Sequence, residues 1–110
     1  MDVEGPYSPR EVADLIAREE IQLIDVRQAD EHAAGRIAGD QLIELGELAA
    51  RAGELDPTRP VVFYCRSGGR SALATQAFRE AGFEAFNMSG GLLAWRASGL
   101  PLEPDGGYVA

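Results

Sequence analysis

One stretch of the chain concentrates groups that could do chemistry: Cys65-Arg66-Ser67-Gly68-Gly69-Arg70-Ser71. Cys65 is the only cysteine and directly follows the apolar run Val61-Val62-Phe63-Tyr64. A helix is expected to begin about five residues after the thiol, which places the sulfur near the positive end of a helix dipole. Gly68 and Gly69 permit backbone angles closed to other residues. Successive N–H groups can then turn inward as an anion-binding nest. Arg66 and Arg70 add positive charge. Each effect favours thiolate over thiol, and the thiolate is the nucleophile. The expectation is an exposed, reactive sulfur, because an inert buried cysteine does not account for two glycines and two arginines within five positions.

Elements of fixed order must hold such a loop. Ser8-Pro9-Arg10-Glu11 is a capping box with proline at the first helical position. Val12, Leu15 and Ile16 follow at helical spacing, so 9–19 reads as a helix. Residues 21–26 read as a strand, 28–34 as a short polar helix ended by Gly35, and 41–43 as a short strand. Residues 44–53 read as one helix with Leu45, Leu48 and Ala49 inward. The continuous apolar run 61–64 marks a strand covered on both faces. Residues 70–81 form a helix with Leu73, Ala74, Ala77, Phe78 and Ala81 on one side, stopped by Gly82. A strand over 83–87 and a short helix over 92–98 complete the series.

Strands that alternate with helices imply an α/β fold, with a parallel sheet of about five strands and helices on both faces. Chemistry in such sheets gathers beyond the carboxyl ends of the strands. Two polar segments stand there: Asp25-Val26-Arg27 and the loop after Tyr64. One domain over 8–102 is expected, with 1–7 as a leader and 103–110 as a mobile tail rich in glycine and proline.

Composition narrows the partners. The formal net charge is −8, and all ten basic residues are arginine. An acidic chain lacks the basic face that nucleic acids and anionic membranes require. A lone cysteine excludes an internal disulfide and a thiol metal cluster. No apolar core of a signal peptide and no run of membrane-spanning length is visible, so a cytoplasmic location is expected.

The loop Tyr64-Cys65-Arg66-Ser67-Gly68-Gly69-Arg70-Ser71-Ala72 resembles the active-site loop of the rhodanese family. Asp25-Val26-Arg27 resembles that family's Asp-Val-Arg strand end. Asn87 to Leu102, with Gly90-Gly91 and Ala94-Trp95, resembles its C-terminal Gly-Gly-x-x-Ala-Trp stretch. The chain departs where the family usually reads Gly-His-Ile-Pro-Gly-Ala: here it has Gly35-Arg36-Ile37-Ala38-Gly39-Asp40. His32 replaces the usual aromatic after Glu31.

The resemblance implies a sulfurtransferase. Cys65 would take a sulfane sulfur from a donor such as thiosulfate, hold it as a persulfide, and pass it to a thiophilic acceptor. Amides from Arg66 to Ser71 would stabilise the anionic persulfide. No metal or organic cofactor is implied. A relay or regulatory module acting on a protein acceptor is the second reading. A phosphatase or arsenate reductase is the third, disfavoured because related phosphatases have one more residue between cysteine and arginine than the spacing from Cys65 to Arg70. Asp25 and Arg27 read as a structural pair that supports the loops, Glu31 as a structural partner, and His32 as a surface residue. Trp95 and Leu92 read as core.

Overall fold

The computed structural model describes residues 7–110. Helix α1 (Pro9–Ala17) starts as its sequence requires: Ser8 Oγ accepts the Glu11 N–H at 3.2 Å, and the Glu11 carboxylate accepts the Ser8 N–H at 2.9 Å. Strand β1 (Gln22–Asp25), helix α2 (Ala29–Ala34) and strand β2 (Gln41–Leu42) follow. Helix α3 (Leu48–Arg51) is a single turn between two 3₁₀ turns, Leu45–Glu47 and Ala52–Glu54. Then come β3 (Val61–Tyr64), α4 (Gly69–Glu80), β4 (Ala85–Asn87) and α5 (Gly91–Ala97). Among the described residues no helix is long and apolar enough to cross a membrane.

The sheet is fully parallel in the order β2-β1-β3-β4, with Asp25 opposite Tyr64 and Phe63 opposite Asn87. Strand alternation divides the core in two. Val61, Phe63 and Cys65 join Ile24, Phe78 and Ala74 on the face covered by α3 and α4. Val62 and Tyr64 join Val12, Leu92 and Trp95 on the face covered by α1 and α5. Successive strands are added to one side from β1 to β2 and to the other from β3 to β4, so the carboxyl ends of β1 and β3 stand at the switch point of the strand order.

Four details differ from expectation. Among the described residues the sheet has four strands rather than about five. At the β4 edge the first described residue, Tyr7, forms a parallel bridge to Met88, supported by an edge contact of the Tyr7 and Phe86 rings at 4.9 Å. Of the expected leader, residues 1–6 lie outside the described residues. The helix expected over 44–53 is broken, because Gly46 and Gly53 lower helix propensity at both ends of a short segment; Leu48 is buried but Ala49 is exposed. The buried stripe of α4 is Ser71, Ala74, Thr75 and Phe78, while Leu73 is 63% exposed and Ala77 and Ala81 face outward. The helix is rotated because its first turn must present Ser71 to the preceding loop. Finally, the expected mobile tail is held: Arg36 and Glu103 form an antiparallel bridge, and the Tyr108 N–H donates to the Ala34 carbonyl at 3.0 Å.

Candidate active site

Cys65 continues the alternation of β3, and its sulfur turns back into its own loop. The Gly68 N–H donates to Sγ at 3.1 Å, and the Ser71 hydroxyl lies 3.3 Å from it. Gly68 caps α4 at φ +112°, a left-handed angle that glycine adopts without strain. Gly69 is different: it has no left-handed angle, and a Cβ there would meet nothing within 4 Å. The glycine requirement expected at both positions therefore holds for the first alone.

The loop's carbonyls are held from behind. The Leu92 N–H donates to the Cys65 carbonyl at 2.8 Å, and the Leu93 N–H to that of Arg66 at 3.1 Å. This approach requires glycine at 91, since a Cβ would lie 2.6 Å from the Arg66 carbonyl oxygen and 2.7 Å from that of Cys65. Asn87, at the end of β4, donates Nδ2 to the Gly68 carbonyl at 3.1 Å. The first turn of α5 and Asn87 thus clamp the loop in the shape that aims its amides at sulfur.

Burial pushes the Cys65 thiol up, but hydrogen bonds from the Ser71 hydroxyl and the amides of Ser71, Gly68 and Ser67 outweigh it and leave the thiol below its ordinary range. The arginines act less directly than expected. Arg66 is exposed, and its Nε donates to the Ala110 carbonyl at 3.1 Å. Arg70 makes a two-pronged contact with Glu31 at 2.8 and 2.9 Å. That contact holds the Glu31 carboxyl down to about 2. Cys65 itself is 1% exposed, whereas the sequence leads one to expect an open sulfur. The sulfur faces its own amides rather than solvent.

The model of the rhodanese-like domain family matches residues 8–98. The chain belongs to the rhodanese-like family. YtwF of Bacillus subtilis (strain 168) is 39% identical over 85 residues, covering 77% of this chain and 82% of that protein. A sulfurtransferase of Allochromatium vinosum is 36% identical over 94 residues, covering 84% and 88% respectively. An HTH-type transcriptional regulator of Mycobacterium tuberculosis is 40% identical over 97 residues, but this chain, 83% of which aligns, spans 42% of its length. Among solved structures, a rhodanese-related protein from Thermoplasma volcanium superposes with a TM-score of 0.80 at 25% identity, covering 86% of this chain and 93% of that one.

In this rhodanese-like domain the other strand end is built around a buried pair. Asp25 and Arg27 are both fully buried, and the carboxylate accepts the Arg27 N–H, Nε and Nη2 at 2.8–3.2 Å. Nη2 also donates to the Gly35 carbonyl at 2.7 Å, which ties β1 to the end of α2. These bonds tie the pair to the segment between β1 and the end of α2, which it supports.

The positions that depart from the family pattern converge on this pair. His32 is not a surface residue: its Nδ1 lies 2.9 Å from Asp25 Oδ2 and 3.6 Å from Asp40 Oδ2. Arg36 pairs with Asp40 at 2.7 Å, and the Tyr64 hydroxyl donates to Asp40 at 2.6 Å while accepting the Ile37 N–H. Burial raises the Asp40 carboxyl above its ordinary range. Asp25, His32 and Asp40 could place ligand atoms within 4.8 Å of one another, as a cation would need. Both carboxylates already hold a guanidinium, which offsets the negative charge such an ion would seek.

Sequence reasoning missed Asn87 and Gly91 as loop supports. A polar residue ending an apolar strand, and a second glycine opening a helix, were the available signals. Leu92 and Trp95 lie in the core as expected, with the indole N–H donating to the Pro101 carbonyl at 2.8 Å.

Proposed function

We propose that this protein is a sulfurtransferase that carries sulfur as a Cys65 persulfide. The observation that carries this reading is the pair of donors on Sγ, the Gly68 amide and the Ser71 hydroxyl, in a loop between a buried strand and a helix. The sulfurtransferase among its relatives points the same way. In the first half-reaction the Cys65 thiolate attacks the outer sulfur of thiosulfate. The new S–S bond forms as the donor's S–S bond breaks, and sulfite leaves with the electron pair. The terminal sulfur of the persulfide inherits the negative charge, and the amides of Ser67, Gly68 and Ser71 stabilise it there. In the second half-reaction an acceptor such as cyanide attacks that sulfur, and Cys65 departs as thiolate. One nucleophile serves both halves, so the kinetics are ping-pong. The charge-stabilised thiolate is a competent nucleophile in the first step and a competent leaving group in the second.

Phosphate-ester chemistry fits less well. The guanidinium that would grip a phosphate, Arg70, is turned to Glu31. A protein acceptor in place of cyanide uses the same chemistry, and the net charge of −8 favours a basic one.

The test is intact mass after thiosulfate treatment without reductant, together with thiocyanate production on adding cyanide. The expected result is a gain of one sulfur atom and turnover, both lost in Cys65→Ser. Neither signal with any sulfane donor, or hydrolysis of an aryl phosphate that depends on Cys65, overturns the reading.

A further inference from the structure

The segment after Leu102 lies beyond the family match, which ends at residue 98. It nevertheless has a defined seat. Arg36 and Glu103 each donate a backbone N–H to the other's carbonyl at 2.8 Å. Farther on, the Tyr108 N–H bonds the Ala34 carbonyl, Val109 packs against the α1/α5 core cluster, and the Ala110 carbonyl accepts Arg66 Nε. The segment therefore runs from the end of α2 to the residue beside Cys65.

Gly35 shows that this seat is close-fitting. Its φ of −176° and ψ of 134° are extended angles open to any residue. A side chain is excluded for another reason: a Cβ would run into the Tyr108 carbonyl oxygen and lie 2.9 Å from its carbon. Gly107 is hemmed in likewise, by the Pro104 carbonyl at 2.8 Å and that of Ala34 at 3.2 Å.

We infer that residues 103–110 are a strap across the mouth of the loop, which limits what can reach the Cys65 sulfur and admits bulky acceptors only when it lifts. The inference rests on Cys65 being the nucleophile. It adds a second layer over a sulfur that its own loop already encloses at 1% exposure, and it accounts for Arg66 being held by the strap rather than by the site. The attachments are backbone hydrogen bonds at Arg36 and Ala34, the Arg36–Glu103 and Arg66–Ala110 contacts and the packing of Val109, and Tyr108 is 58% exposed, so the strap can open locally while the sheet stays folded. Lifting it also releases the Arg66 guanidinium beside the loop, where an anionic donor would arrive.

The experiment is alkylation of Cys65 in the full chain, followed by intact mass, with iodoacetamide and with a bulky maleimide. Gly35→Ala and Val109→Asp dislodge the strap at separate points; Asp105→Ala, at an exposed position, is the control. Alkylation is expected to rise roughly tenfold or more in both strap variants, more for the maleimide, and to stay at the wild-type rate in the control. Circular dichroism verifies that each variant is folded. Wild-type rates in a folded strap variant overturn the inference. On the unmodified chain, maleimide addition should abolish hydrogen-exchange protection of the Tyr108 amide, and retained protection overturns it equally. Neither readout requires sulfur transfer, so absence of transfer alone counts against the sulfurtransferase reading and leaves the strap standing.

Discussion

Ser71→Ala isolates one donor to the Cys65 sulfur. Ser71 is fully buried, and its hydroxyl lies 3.3 Å from Sγ and 3.2 Å from the Gly68 carbonyl. One hydroxyl proton cannot serve both acceptors, and the anionic sulfur is the stronger claimant. A hydrogen bond to an ionised group contributes about 1.5–3 kcal/mol, and the long, contested contact places this one at the lower end. Loss of about 1.4 kcal/mol raises the thiol by about one pH unit. Two effects then oppose each other. Below its titration the thiolate fraction falls about tenfold, while the more basic sulfur is about threefold more nucleophilic. Alkylation by iodoacetamide should therefore be about threefold slower than wild type at low pH and about threefold faster on the high-pH plateau. The assay is the rate across a pH series spanning the thiol's titration, checked against thiolate absorbance. Profiles that coincide, or a variant thiol that titrates lower than wild type, would refute the claim that Ser71 holds the sulfur as an anion.

Other expectations concern the frame around the loop. Gly91→Ala drives a methyl into the Cys65 and Arg66 carbonyls at a left-handed φ of +63°, so it should destabilise the protein by about 1–3 kcal/mol in denaturant melts and depress sulfur transfer. Gly69→Ala meets open space at the start of a helix and should be neutral or stabilising by up to about 1 kcal/mol in the same melts. Arg27→Met strands the buried Asp25 carboxylate and should cost about 3–5 kcal/mol of stability. The Glu31 carboxyl lies lower when folded than unfolded, so its pairing with Arg70 stabilises the fold above the ordinary carboxylate range. That contribution fades as pH falls from about 4.5 toward about 2. Since the Arg70 side chain is 37% exposed, solvent limits it to about 1 kcal/mol or less. Glu31→Gln should show a flatter stability curve across that window, and an unchanged slope would exclude the pair as its source.

The strands were legible where burial on both faces wrote a continuous apolar run, as in Val61–Tyr64, and α1 was legible through its reciprocal cap. The place of the loop and its donors to the Cys65 sulfur were legible because glycines and polar donors crowd a lone cysteine. What the sequence hid depended on long-range approach. Leu73, Ala77 and Ala81 match a helical stripe as well as the true one does; only the need to aim Ser71 at the sulfur selects the rotation. The cluster of His32, Arg36 and Asp40 with Asp25 joins four positions within sixteen residues, yet their meeting depends on how α2 folds back over β1. The seat of residues 103–110 leaves one trace in the sequence, a glycine at 35 whose purpose becomes visible only beside the Tyr108 carbonyl.

The placement of Cys65 on the same side of the sheet as Val61 and Phe63 has a consequence for engineering. The Cys65 sulfur inherits its side from strand parity. An insertion or deletion of one residue in β3 would send the sulfur toward Trp95 and away from Ser71, whatever the loop sequence. Moving this loop to another parallel sheet therefore demands an odd-even match with the host strand before any attention to the loop itself.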